Sequence, residues 1–77
     1  MQYTRKVVYD KRDPAYPDIT IRIMKDRCNG YHTWDVYYRK DRYAFQFAFG
    51  VLSSKYSLVL AFVTAMVNTA DYLDMFK

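Results

Sequence analysis

The chain has no glutamate, one histidine, one cysteine, two glycines and two prolines in 77 residues. Each scarcity removes a class of chemistry. A lone cysteine forms no intrachain disulfide, and Cys28, His32 and Asp26 together fall short of the four ligands that close a structural zinc site. A cysteine–histidine mechanism would need Asp35 as the orienting group. In an extended strand His32 and Asp35 point to opposite faces, so the carboxylate does not reach the imidazole. Gly30 and Gly50 lie too far apart for a phosphate-binding loop. The aspartates fall mostly in turns rather than as the facing pair that glycoside chemistry needs. The chain is therefore expected to be no enzyme, with no catalytic residue, metal, cofactor or small-molecule substrate.

No long hydrophobic run is present either. Leu58 to Val67 is too short for a membrane span of about 20 residues, and Asn68 and Asp71 interrupt its continuation. The N-terminus lacks the apolar segment of a secretory signal. A soluble, cytoplasmic protein without membrane contact is expected, and one cysteine fits a reducing compartment. A chain that starts at methionine and folds as one unit reads as a complete small gene product or as an excised domain with an added methionine. At 77 residues it is one domain, 1–77, close to the size at which burial is marginal.

What the chain does have is aromatic side chains, 19% of its residues, and a stretch from Cys28 to Val51 where two hairpins can be written in one register with every strict alternation on the same sheet face. Asn29-Gly30 suits a two-residue turn with positive φ at both positions, which sets Met24 opposite Asp35, Ile23 opposite Val36 and Arg22 opposite Tyr37. A second tight turn at Lys40-Asp41 would set Val36 opposite Phe45 and Trp34 opposite Phe47. One face then collects Ile19, Ile21, Ile23, Trp34, Val36, Tyr38, Phe45, Phe47 and Phe49. The other collects Thr20, Arg22, Met24, Thr33, Asp35, Tyr37, Arg39, Ala44, Gln46 and Ala48. These are a core face and a solvent face.

After Gly50 the apolar period lengthens. Leu58, Phe62, Met66, Leu73 and Phe76 recur at helical spacing, which predicts a helix over 53–76 capped by Ser53 or Ser54. Lys55 lies at its positive end and Asp71 and Asp74 at its negative end, so packing rather than propensity must hold it. Tyr3 to Tyr9 is rich in strand formers and reads as a fourth strand or an extended arm, with Asp10 to Asp18 a loop. The expected fold is α+β: a three- or four-stranded antiparallel meander over 19–51, preceded by the arm or strand and loop of 1–18, with one C-terminal helix on a single face.

Two surfaces stand out. The net charge is +4, and the basic excess lies in the strands and turns, while 56–77 carry Lys77 against Asp71 and Asp74. Arg22, Tyr37, Arg39, Lys40 and Arg42 would form a basic, tyrosine-bearing sheet face for a nucleic acid or an acidic surface, with bases stacking on rings and arginines meeting phosphates. On the helix, Tyr56, Leu60, Val63 and Val67 form a second apolar stripe about 130° from Phe62. It is either covered by the N-terminal segment or offered to a partner protein.

Tyr43-Ala44-Phe45 resembles the middle of the signature strand of the RNA-recognition-motif family. Asp41 and Arg42 depart from that pattern, as do Gln46 and Ala48, and two βαβ units do not fit the chain. Three strands followed by a helix opening at Ser53-Ser54-Lys55 are similar to the latter part of a double-stranded-RNA-binding domain. There the basic cluster is reduced to Lys55 and the first helix has no counterpart. The leading expectation is a non-enzymatic binding protein acting through protein–protein contact. By analogy of size and architecture alone, it is compared with phage or mobile-element inhibitors of host nucleic-acid-processing complexes, such as anti-CRISPR proteins; the partner is a host complex or a second copy. The alternatives are a module for RNA or single-stranded nucleic acid and an obligate homodimeric subunit.

Overall fold

The computed structural model describes residues 3–75. Four antiparallel strands follow in order, β1 (Tyr3–Arg12), β2 (Ile19–Cys28), β3 (Tyr31–Lys40) and β4 (Gln46–Leu52), and one helix, α1 (Leu58–Asp74), packs across β2 and β3. This is the expected α+β meander, with residues 3–12 as a full strand. Asn29 and Gly30 both take positive φ, 52° and 83°, as a tight hairpin turn requires. The β2–β3 register is the expected one, with Ile23 opposite Val36 and Arg22 opposite Tyr37.

The β3–β4 hairpin corrects the expectation. Lys40-Asp41 is not a two-residue turn, because residues 41–45 loop out and β4 starts only at Gln46. Val36 faces Phe49 and Trp34 faces Val51, and a bulge at Ala48 then sets Tyr37 opposite Phe47. One extra residue in a strand turns the side chains beyond it to the other face. Phe49 therefore stays on the core face, whereas Phe45 and Phe47 join the open one. The footprint of α1 centres on β2 and β3 and leaves a cavity of about 380 Å³ between its C-terminal half and the loop end of β4, lined by Phe49, Asn68, Asp71 and Tyr72 among others. Outward, Phe47 meets the Tyr37 ring edge-on at 5.5 Å between centroids.

Ser57, not Ser53 or Ser54, caps α1, its hydroxyl accepting from the Leu60 amide at 3.1 Å. The two earlier serines end the sheet instead; the Ser53 amide donates to the His32 carbonyl. The buried face of the helix is built mostly of small residues, with one tyrosine near its end. Ala61, Ala65, Thr69 and Tyr72 are buried against Ile19, Ile21, Ile23, Val36 and Tyr38, while the expected stripe of Leu58, Phe62, Met66 and Leu73 is half-buried beside them. Small side chains let the helix backbone approach the sheet, which moves the bulky ones to the flank. Phe62 there contacts the Tyr9 ring at 4.6 Å. Phe76 lies outside the described residues.

Two polar anchors tie the layers. The Trp34 indole donates to the Tyr56 carbonyl at 2.7 Å, and the Tyr38 hydroxyl donates to the Ala65 carbonyl. The Tyr38 ring stacks on Tyr72 at 4.9 Å. Burial pushes the Tyr38 phenol up to about 12, with Asp13 and Asp71 adding to the rise and the Thr69 hydroxyl opposing it. Asp10 to Asp18 is only partly the expected loop, since β1 continues to Arg12. Asp13 is buried rather than solvated, accepting from the Ala15 amide and the Thr69 hydroxyl.

Candidate functional site

The sheet face turned away from α1 is built of cross-strand rows. Because side chains alternate, residues opposite one another in the ladder share this face. The rows are Arg5–Asp26–Thr33, Val7–Met24–Asp35–Gly50, Asp10–Arg22–Tyr37–Phe47 and Arg12–Thr20–Arg39.

Three of these rows satisfy themselves. The Arg22 guanidinium donates twice to Asp10 Oδ2, at 2.7 and 3.0 Å, and lies over the Phe45 ring at 4.0 Å. Arg5 pairs with Asp26 at 3.6 Å and donates to the Tyr37 hydroxyl. Thr33 donates to Asp35 at 2.9 Å. Burial, and then the neighbouring Asp26 carboxyl, raise the Asp35 carboxyl above its ordinary range against the opposing pull of Thr33 and Arg5. A glycine at position 50 is required for close approach: a Cβ there would come within 2.9 Å of Asp35 Oδ1.

The fourth row differs. Arg39 also lies over the Phe45 ring, at 4.6 Å, and its buried Nε has no hydrogen-bond partner. Thr20, short between Arg12 and Arg39, leaves a cavity of about 290 Å³ that Arg42, Asp41, Asp18 and Pro17 close from the loops. Of the five residues expected to form a basic face, the structure thus brings Arg39 and Arg42 together. Arg22 and Tyr37 are committed to Asp10 and Arg5. Lys40 faces Ile19 across the ladder, on the side of the core. Sequence reasoning missed Arg12, because the strand was ended at Tyr9, and it missed Phe45, because the bulge was not legible.

The second stripe of α1 is open. Leu60, Val63 and Val67 are 45%, 41% and 73% exposed, and Val59 beside them is 70% exposed. Tyr56 is half-buried. β1 lies in the sheet and does not fold over this stripe. The first turn of α1 holds no acidic residue and the last no basic one.

Among the described residues no group of histidine, cysteine or acidic side chains could hold a metal ion, and no helix is long and apolar enough to cross a membrane. No family model, curated protein or solved structure is significantly similar to this chain.

Proposed function

We propose that the chain is a non-enzymatic binding protein that acts through protein–protein contact, and that its docking surface is the outer face of α1. The observation carrying this reading is the exposure of Val59, Leu60, Val63 and Val67 on the side of the helix opposite Ala61 and Ala65. A helix apolar on both sides is ordinarily buried on both sides.

The first occupant we assign to it is a second copy. Read outward from Val63 in steps of four, the helix carries Val59 in one direction and Val67 and Asp71 in the other, and Lys55 lies in the turn just ahead of its start. Two helices antiparallel about Val63 would set Val59 on Val67 of the other copy and bring the turn ahead of the Ser57 cap, which carries Lys55, to the end of the other helix that carries Asp71. The same arrangement lays each helix's adverse end charge against the opposite dipole end of its neighbour. Within one chain these charges are unfavourable; between two they are complementary.

The experiment is light scattering during size-exclusion chromatography, with thermal melting in parallel. The native chain is expected to run as a dimer and Leu60→Asp or Val67→Asp as a monomer. Ala65→Asp, directed into the core, is expected to unfold the protein. A Lys55→Asp variant should dissociate, and Lys55→Asp with Asp71→Lys should reassociate. A monomeric native chain at high concentration removes self-association and leaves a different protein as the occupant.

A further inference from the structure

We infer that the cavity bounded by Arg12, Thr20, Arg39 and Arg42 is a binding site for a phosphate group. This goes beyond the helix face and does not depend on it.

Three arginines line one pocket, two from either side of Thr20 in one row of the ladder and one from the 41–45 loop. Elsewhere on this face arginines are matched: Arg22 has Asp10 and Arg5 has Asp26. Among the described residues no carboxylate lies within ion-pair distance of Arg12, Arg39 or Arg42. The Arg39 Nε is buried and without an acceptor, although a buried donor left unmatched is costly. A ligand that brings acceptor oxygens would remove that cost. Arginine's planar fork suits the tetrahedral oxygens of phosphate, and the Thr20 hydroxyl adds a donor between two such forks.

Asp18 and Asp41 also line the pocket. They leave it net positive by one charge, and they sit where the Asp41 amide donates to the Asp18 carbonyl at 2.7 Å, joining the two loops that form its wall. Outside the pocket lining, the Phe45 ring lies against the guanidinium groups of both Arg22 and Arg39 and helps to hold the Arg39 side chain in place. A phosphate could arrive free, as an inorganic or small-molecule group, or within the backbone of a single-stranded nucleic acid.

The test uses the native chain with two probes, inorganic phosphate and a short oligothymidylate, followed by amide chemical shifts at low ionic strength. Inorganic phosphate is expected to shift the Thr20, Arg39 and Asp41 amides saturably. Arg39→Gln should weaken it about tenfold or more, and Arg42→Gln, in the loop and away from the core, should act in the same direction. Lys6→Gln, an equal loss of charge elsewhere on the sheet, should change it by less than about twofold. Oligothymidylate binding that tracks the same variants assigns the phosphate to a nucleic-acid backbone; response to inorganic phosphate alone assigns it to a free phosphate. If neither probe moves these amides, or if Lys6→Gln weakens binding as much as Arg39→Gln does, the site is refuted.

Discussion

Thr69 Oγ1 donates to Asp13 Oδ2 at 2.7 Å, across 56 residues of chain and inside the protein, where the two residues are 0% and 1% exposed. This contact closes the β1–β2 loop onto the middle of α1. A carboxylate taken out of water needs every acceptor site matched, and Asp13 has the Ala15 amide on one oxygen and Thr69 on the other. Thr69→Val keeps the shape and removes the donor, so it is expected to cost about 2 kcal/mol or more. Thr69→Ser should recover most of that loss. Denaturant unfolding of the three proteins checks it.

Asp35 gives a stability profile with a worked sign. Its carboxyl is raised above the ordinary range in the folded chain, so the native state holds the proton to higher pH than the unfolded state. Stability then falls as pH rises from about 4 through the raised value. Asp35→Asn keeps an acceptor for Thr33 and carries no charge near Asp26. It is expected to melt higher than the native chain at neutral pH, with the gap closing on acidification. Gly50→Ala should destabilise the native chain, because its methyl group meets Asp35 Oδ1.

The tyrosines predict an alkaline transition. Tyr38 is raised to about 12, and burial raises Tyr9 and Tyr72 as well. Above pH 10 the unfolded chain loses these protons while the native one keeps them, so stability is lost from the ordinary tyrosine value upward through the raised values. Ultraviolet titration should show a late tyrosinate phase coincident with loss of structure. Tyr38→Phe, which also loses the bond to the Ala65 carbonyl, should cost about 1 kcal/mol at neutral pH and shrink that phase.

Legibility in the sequence followed the range of the forces involved. Asn29-Gly30 dictates its own turn, so the register of Ile23 on Val36 followed from two residues. The helix was visible because its apolar period is local, whereas the strand formers of Tyr3 to Tyr9 did not decide between a strand and an arm, because the pairing with β2 that decides it is not local. The bulge at Ala48 was not visible, since it lies in how β4 pairs with β3, a relation between separate elements. Asp13 was hidden for the same reason. An aspartate beside a proline reads as a solvated turn until Thr69, on another element, arrives to bind it. At the Arg12 cavity the residue types were visible and their convergence was not, because it required β1 to extend through Arg12 and so face Thr20.

The bulge itself is testable. Ala48 is the one residue of β4 without a partner where the ladder steps from Val36–Phe49 to Tyr37–Phe47. Deleting it leaves Phe47 and Phe49 adjacent, and ordinary alternation would then keep Phe49 inward and Phe47 outward. The deletion is therefore expected to preserve both pairings and to change stability by less than about 1 kcal/mol, a small cost for a regularised ladder. Deleting Gly50 instead lies between Phe49 and Val51, both on the core face, and would force one of them outward; it should cost several-fold more, by about 2 kcal/mol or greater for a lost core side chain. Ring-to-ring nuclear Overhauser contacts between Tyr37 and Phe47, together with denaturant midpoints, decide the matter. Loss of the Tyr37–Phe47 contact on deletion of Ala48 would show that the bulge positions Phe47 rather than merely accommodating it.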